Sequence, residues 1–365
     1  MKGVKFGNYH SFDTWGLLLT SKEIGSPIVK EKVIDIEGAD GVLDYTEVFG
    51  SVKYGNRLLK FEFQKAIKPS ELVSLASDIQ DAVHGLKMAV ALDDDPDWYY
   101  YGRVSVKDFN WKKGIGTISI EVDAEPYKLA RQKTKQFVNL SGKNLFDNNN
   151  VVTVINSAVT ITKLDTGIRL TSKQAGDYTY AAIKIVPAAM VVGQRITVQC
   201  KATASAANKA KFGLGYATPT AKPSDPPKYV VGSVVATGSF TMVVEAEKAA
   251  QYQYVVLFVY GNILGTGIVG DYSDYVDLQV ELGNATAYEA YNGTEKTVNV
   301  QLENTRMHAV PVISTQHAVT VKSGAETVAI AADGTSSQFQ LTEGSNQFSI
   351  TGKGLVAFEW QKGRL

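Results

Sequence analysis

The strongest constraint on this chain is that its strand pattern changes character twice. Up to about residue 135, apolar and polar residues alternate in long runs, with one clear helical stretch and three of the four tryptophans, Trp15, Trp98 and Trp111. From Asn144 to about Gly293 the composition shifts to Val, Ala, Thr and Tyr, and tryptophan disappears. From Glu295 onward a third set of short strands runs to Leu365. A β pattern that breaks off, gives way to another and resumes reads as a scaffold hosting a second domain. The expected division is a first domain at 1–135, a polar linker at 136–143, an insert at 144–293 and a last β-domain at 294–365. At 365 residues such a chain has room for two or three domains.

Lys+Arg and Asp+Glu both number 37, for a formal net charge of +0. That balance removes any chain-wide electrostatic attraction to nucleic acid or an anionic membrane. The longest apolar run, Tyr254-Val-Val-Leu-Phe-Val-Tyr260, is far shorter than the roughly 18 to 20 residues of a membrane span and reads as a buried strand. Cys200 is the single cysteine and sits in the alternating stretch Ile196–Cys200, so it is expected in the core, and no disulfide framework can form within one chain. With no apolar signal segment at Met1–His10, synthesis and folding in a reducing cytoplasm are expected.

In the first domain, strands are expected near Phe12–Leu19, Lys30–Ile36, Asn56–Gln64, Trp98–Val104 and Gly116–Val122, the last two paired through a connection at Asp108–Gly114. Ser70–Leu86 is the helix: Leu72, Leu75, Ala76, Ile79, Val83 and Leu86 share a face, Ser70 is the expected cap and Gly85 the stop. The insert shows turn-bounded strands such as Ala181–Val186, Arg195–Cys200, Gln253–Tyr260 and Tyr275–Leu282, the spacing of an antiparallel sandwich. Pro223–Pro227 and Gly267–Asp271 are expected loops.

A search for reactive chemistry leaves little. His10, His84, His308 and His317 show no metal-ligand spacing, and there is no Cys-x-x-Cys, Gly-x-Ser-x-Gly or phosphate-cradling glycine pattern. Asp93-Asp-Asp-Pro-Asp97 lacks the ligand spacing, central glycine and distal glutamate of an EF-hand and reads as a solvated turn. The chain is therefore read as no enzyme; a glycosidase would need two carboxylates converging in a cleft. The better lead is the insert's tyrosines. Among Tyr178, Tyr180, Tyr216, Tyr229, Tyr252, Tyr254, Tyr260, Tyr272 and Tyr275, the pairs Tyr178/Tyr180 and Tyr252/Tyr254 are spaced by two, which puts each pair on one face of a strand. Such rings either stack on the apolar face of a sugar while the hydroxyl hydrogen-bonds, or pack as ordinary core and rim.

Four stretches of the first domain, Phe12-Asp-Thr-Trp-Gly-Leu17, Asn56-Arg-Leu-Leu-Lys-Phe-Glu-Phe63, Trp98-Tyr-Tyr-Tyr-Gly-Arg-Val104 and Ile118–Tyr127, together resemble the N-terminal domain of the distal tail proteins, the tail-tip or baseplate hub proteins, of long-tailed, non-contractile phages. The closing Phe358-Glu-Trp-Gln-Lys-Gly-Arg-Leu365 resembles the same family's small C-terminal β-domain. Asn144-Leu-Phe-Asp147 and Tyr275–Tyr291 are similar to the opening and close of jelly-roll carbohydrate-binding modules found inside enlarged members. The resemblance implies a mainly β fold: a β-sandwich or split-barrel belt domain with one helix, and a small C-terminal β-sandwich interrupted by a jelly-roll β-sandwich. It further implies a homohexameric ring at the virion tail tip, with the tail tube protein on one side and tail-associated or receptor-binding proteins on the other. The insert would bind host cell-wall glycan through tyrosines such as Tyr178, Tyr180, Tyr252, Tyr254 and Tyr272, with a structural calcium near Asp277. The alternatives are a stand-alone glycan-binding protein and, further off, a glycan hydrolase.

Overall fold

The computed structural model describes residues 3–48, 52–176, 178–206, 208–219, 228–263 and 267–365, and every count of elements refers to these. The fold is mainly β, in several antiparallel sheets with two α-helices. The expected Pro223–Pro227 loop lies outside the described residues.

The first sheet runs Tyr9–His10, Val4–Phe6, Lys87–Leu92, Trp98–Lys112, Ile115–Ala124, Arg57–Ala66 and Leu18–Ile24. Alternation in Arg57–Phe63 buries Leu59, Phe61 and Phe63 and exposes the residues between. The helix, Pro69–Val83, lays Leu72, Ala76, Ile79 and Val83 on that core. It starts differently from the expectation. Lys68 occupies the cap with no side-chain hydrogen bond, and Pro69, whose missing N–H costs nothing in the first turn, starts the helix in place of a Ser70 cap. Gly85, at φ 75°, supports the expected stop, since only glycine enters that region without strain. The expected connection at Asp108–Gly114 is instead mostly strand: Trp98–Lys112 pairs with Ile115–Ala124 to its end, and the turn shrinks to Lys113 and Gly114 at φ 50° and 86°. A register shift between Val106 and Phe109 interrupts the pairing there before it resumes to Lys112.

The linker expected at 136–143 requires correction. Thr134–Asn139 is a strand paired residue for residue with Leu355–Trp360, and Leu140 donates its N–H to the Gly354 carbonyl at 2.8 Å. Its polar residues face outward while Val138 and Leu140 enter the core, so a composition that looks like a linker is one half-exposed strand. Lys128–Ala130 is likewise a strand, held between Trp98–Tyr99 and Gly363–Arg364.

Thr134–Asn139 opens a four-stranded sheet with Leu355–Trp360, Val312–Thr315 and Thr335–Ser336. A second four-stranded sheet, Lys296–Ala309, Leu341–Gly352, Val319–Ser323 and Glu326–Ile330, packs on it around Leu302, Ile313, Phe348, Ile350 and Phe358. Between Asn139 and Lys296 the chain builds two five-stranded sheets. The front sheet runs Thr153–Ser157, Thr179–Pro187, Tyr254–Asn262, Lys211–Ala217, Lys228–Val235; the back sheet runs Val159–Leu164, Gly167–Ser172, Tyr272–Leu282, Arg195–Ala204, Gly238–Val243. Their facing sides share one core that includes Ile183, Val198, Phe212, Leu257, Tyr275 and Val280. Leu355 and Ala357 of the outer scaffold also belong to that core.

Candidate functional site

The front sheet is apolar on both sides. One side, with Ile183, Phe212, Leu214, Tyr216, Val255 and Leu257, faces the back sheet. Period-two alternation sends the intervening residues outward, where Ile155, Ala182, Ala217, Val256 and Phe258 form a second cluster edged by Tyr180, Tyr254 and Tyr260. Tyr180 and Tyr260 sit directly opposite across two strands, their ring centroids 5.7 Å apart and tilted by 40°. Phe258 lies 6.3 Å from Tyr180. The neighbouring strand contributes almost no side chains, through Gly213 and Gly215. A Cβ at Gly215 would come within 2.8 Å of the Phe258 ring and 2.2 Å of the Tyr229 carbonyl oxygen. Gly215 therefore lets the buried Phe258 ring pack directly on its backbone.

A lysine lies over each tyrosine of this face: Lys228 Nζ 4.6 Å from the Tyr180 centroid, Lys211 Nζ 4.9 Å from Tyr260, and Lys184 Nζ 5.4 Å from Tyr254. Lys228 also donates to the Tyr180 hydroxyl. Lys184 is neutralised by Asp333, at 2.7 Å, which reaches in from the scaffold. Burial raises the Tyr260 phenol above its ordinary value, with smaller contributions from the Tyr180 and Tyr178 hydroxyls; burial and Asp333 raise Tyr254. Both phenols are neutral near pH 7 and can donate as well as accept.

The back sheet props this face from beneath. Tyr275, fully buried, pushes its hydroxyl between two front strands. It accepts from the N–H groups of Lys211 (3.1 Å) and Tyr260 (3.2 Å) and lies 2.6 and 2.7 Å from their carbonyls. One phenol thus stands in for the ladder rung where those strands part, and it fixes the backbone of two residues of the face.

The sequence-derived candidates divide. Tyr180 and Tyr254 are on the face, and Tyr178, 57% exposed just before its strand, is at the edge near Tyr260. Tyr252 does not share a face with Tyr254. The strand begins only at Tyr254, while Tyr252 terminates the short helix Ala246–Gln251 and stacks on Tyr216 at 5.9 Å, on the core side. Spacing by two means one face only within a single strand. Tyr272 lies on the back sheet, on the side opposite the buried Tyr275, with Arg169 4.1 Å above its ring and the guanidinium paired to Asp274 at 2.6 and 2.8 Å. Tyr260, one of the insert's tyrosines but outside the spaced pairs, joins the face, and Phe258, Lys184, Lys211 and Lys228 are additions that the sequence did not single out. Tyr254 and Tyr260 are six apart in one apolar run, an even spacing that signals a shared face.

Asp277 does not fit a calcium centre. Its carboxylate pairs with Lys201 at 2.7 Å, which with Thr166 holds it below the ordinary value, and its N–H donates to Thr166 Oγ1. Among the described residues no group of three or more His, Cys, Asp or Glu side chains is placed to hold a metal ion. The Asp93–Asp97 turn is likewise tied to different elements: Asp93 to Gly3 N–H and His10, Asp94 to Lys22, Asp95 to Lys128. Cys200 is buried, and burial pushes its thiol upward, which removes nucleophilic character. No helix among the described residues is long and apolar enough to cross a membrane.

No family model matches the chain, and none of the curated proteins matches it. Among solved structures it is similar to the SPP1 Dit (gp 19.1) protein, described as a paradigm of the hub adsorption apparatus in phages infecting Gram-positive hosts, with 11% identity, a TM-score of 0.38 and coverage of 100% of both chains.

Proposed function

We propose that the chain is a structural hub subunit of a phage tail tip, assembling into a ring through its first domain and carrying an inserted module that binds host-surface glycan, with no catalytic role. The observation that carries the assembly reading is the ribbon Val33–Asp35 paired with Val42–Asp44. It forms its own two-stranded sheet, every residue of which is exposed. Ile28, Val33, Ile34, Ile36, Val42 and Leu43 present apolar side chains to solvent along this arm. A lone two-stranded ribbon is marginal in water, and a concentration of exposed apolar residues marks a surface that another chain covers. A head-to-tail ring supplies that cover with a second copy. Three of the four stretches that carry the sequence resemblance, Asn56–Phe63, Trp98–Val104 and Ile118–Tyr127, include adjacent strands of one sheet.

The adhesion reading is supported by the front face, where half-buried tyrosines edge a buried apolar cluster and offer apolar ring surface with hydrogen-bonding hydroxyls. The insert would then meet the cell while the first domain meets the tail tube and its neighbours in the virion.

Mass measurement across a concentration series, with electron micrographs, tests the assembly reading. The expected species is a ring of six 39.5 kDa chains. A chain that stays monomeric at every concentration, with no rings on the grid, would sink it; glycan binding by that monomer would point instead to a stand-alone lectin-like protein.

A further inference from the structure

The front face carries positive charge that stacking on a sugar does not use. Lys211 and Lys228 cover Tyr260 and Tyr180, and among the described residues neither has a carboxylate within ion-pair distance, whereas Lys184 at the Tyr254 end is paired with Asp333. The face therefore runs from a neutralised end to a doubly cationic one. Ammonium groups only donate. Recognition of neutral sugar hydroxyls also calls for strong acceptors, and the side-chain polar groups at the Tyr180–Tyr260 end include two ammoniums and the hydroxyls of Tyr180, Tyr260, Ser157 opposite Tyr180 and Tyr178 at the edge, with no carboxylate paired to either ammonium among the described residues. A ligand that brings its own anionic acceptors matches this set. The position of Lys211 is built rather than incidental, because the buried Tyr275 hydroxyl pins its backbone beside that of Tyr260.

We propose that the front face takes an anionic glycan, with sugar rings on Tyr180 and Tyr260 and phosphodiester or carboxylate groups paired with Lys211 and Lys228. This rests on the adhesion reading above and names its ligand class. The test uses the full chain against four immobilised polymers: glycosylated poly(glycerol phosphate), polygalacturonate, neutral dextran and poly-L-glutamate. Binding is expected to one of the first two, and which one separates a phosphate from a carboxylate source. It should weaken with added salt, because exposed charges are screened. Lys211→Gln and Lys228→Gln should each cost about tenfold in Kd, as for the loss of a charge-assisted contact, and Tyr180→Ala a similar factor. Tyr288→Ala, on a groove of the back sheet beside Lys201 and Asp277, should leave binding unchanged.

Dextran bound as tightly as the anionic polymers, with the lysine variants unaffected, overturns the anionic assignment and leaves the glycan reading standing. Equal binding to poly-L-glutamate overturns it too, because charge alone then suffices. Loss of binding in Tyr288→Ala but not in the front-face variants overturns the location. Absence of binding to all four polymers counts against both the assignment and the adhesion reading.

Discussion

At the scale of single residues, buried polar groups do most of the positioning. Tyr275 satisfies the backbone of Lys211 and Tyr260 with one hydroxyl. Tyr275→Phe keeps the ring and strands those groups, at a cost of about 1–3 kcal/mol. Denaturant unfolding should show a lower midpoint with unchanged slope; an unaltered midpoint would mean that the two strands reclose without the phenol. His317 provides a pH dependence. Burial holds its imidazole below the ordinary value, with Lys353 and Lys184 acting in the same direction and Asp147 and Asp333 against them. The unfolded chain therefore takes up a proton at this site, near pH 6.5, before the folded one does, and stability is lost as pH falls below that value. Unfolding at pH 7.5 and pH 5.5 should show a larger drop for the natural chain than for His317→Gln. Equal drops would remove His317 as the cause.

At the scale of elements, the same alternation rule has different outcomes according to where a strand begins. Tyr254 to Tyr260 obeys it, because the strand runs Tyr254–Asn262 without interruption. Tyr252 escapes it, because it ends a helix that turns the chain before the strand starts. The exposed ribbon is the element with the clearest consequence for assembly. Its apolar residues are exposed, so Ile34→Ser with Leu43→Ser should leave thermal unfolding within about 0.5 kcal/mol of the natural chain, as for ordinary surface changes. The variant should fail to form the ring. A double variant that assembles normally would show that the ribbon is not the contact.

At the scale of the whole molecule, the inserted sheets are joined firmly to the scaffold. Gln316, buried in the scaffold, donates to the carbonyls of Ile185 (2.7 Å) and Leu145 (3.3 Å) and accepts from Leu355 N–H (3.0 Å). Lys135 reaches the Met190 carbonyl, and Lys184 pairs with Asp333, both side chains being largely buried. Removing one member of such a pair leaves an uncompensated charge. Asp333→Ala is expected to destabilise by about 3 kcal/mol, and adding Lys184→Met should restore most of it. A double variant no more stable than the single would mean that Asp333 acts through its backbone, which sits at φ 56°, rather than through the charge. This coupling also sets what the scaffold does to the face: Asp333 cancels the charge at the Tyr254 end, so the part of the face left cationic is the Tyr180–Tyr260 end.

Local order was legible in the sequence wherever one rule operated over a full element. Period-two runs such as Arg57–Phe63 and Tyr254–Tyr260, the apolar stripe Leu72–Val83 and the change of composition near Asn144 follow from which side chains must leave water, and that preference is written residue by residue. Tertiary structure alone decided that Thr134–Asn139 is a strand, since its partner Leu355–Trp360 lies more than two hundred residues away and pairing energy exists only once both are present. It also decided which tyrosines meet. Tyr180 and Tyr260 are opposed by strand register, Tyr272 is placed on the other sheet, and Lys211 and Lys228 arrive over the rings from strands that sequence spacing does not connect. Side-chain type and alternation are local properties of a chain; convergence on one face is a property of its sheet order, and sheet order is set by the packing of the whole.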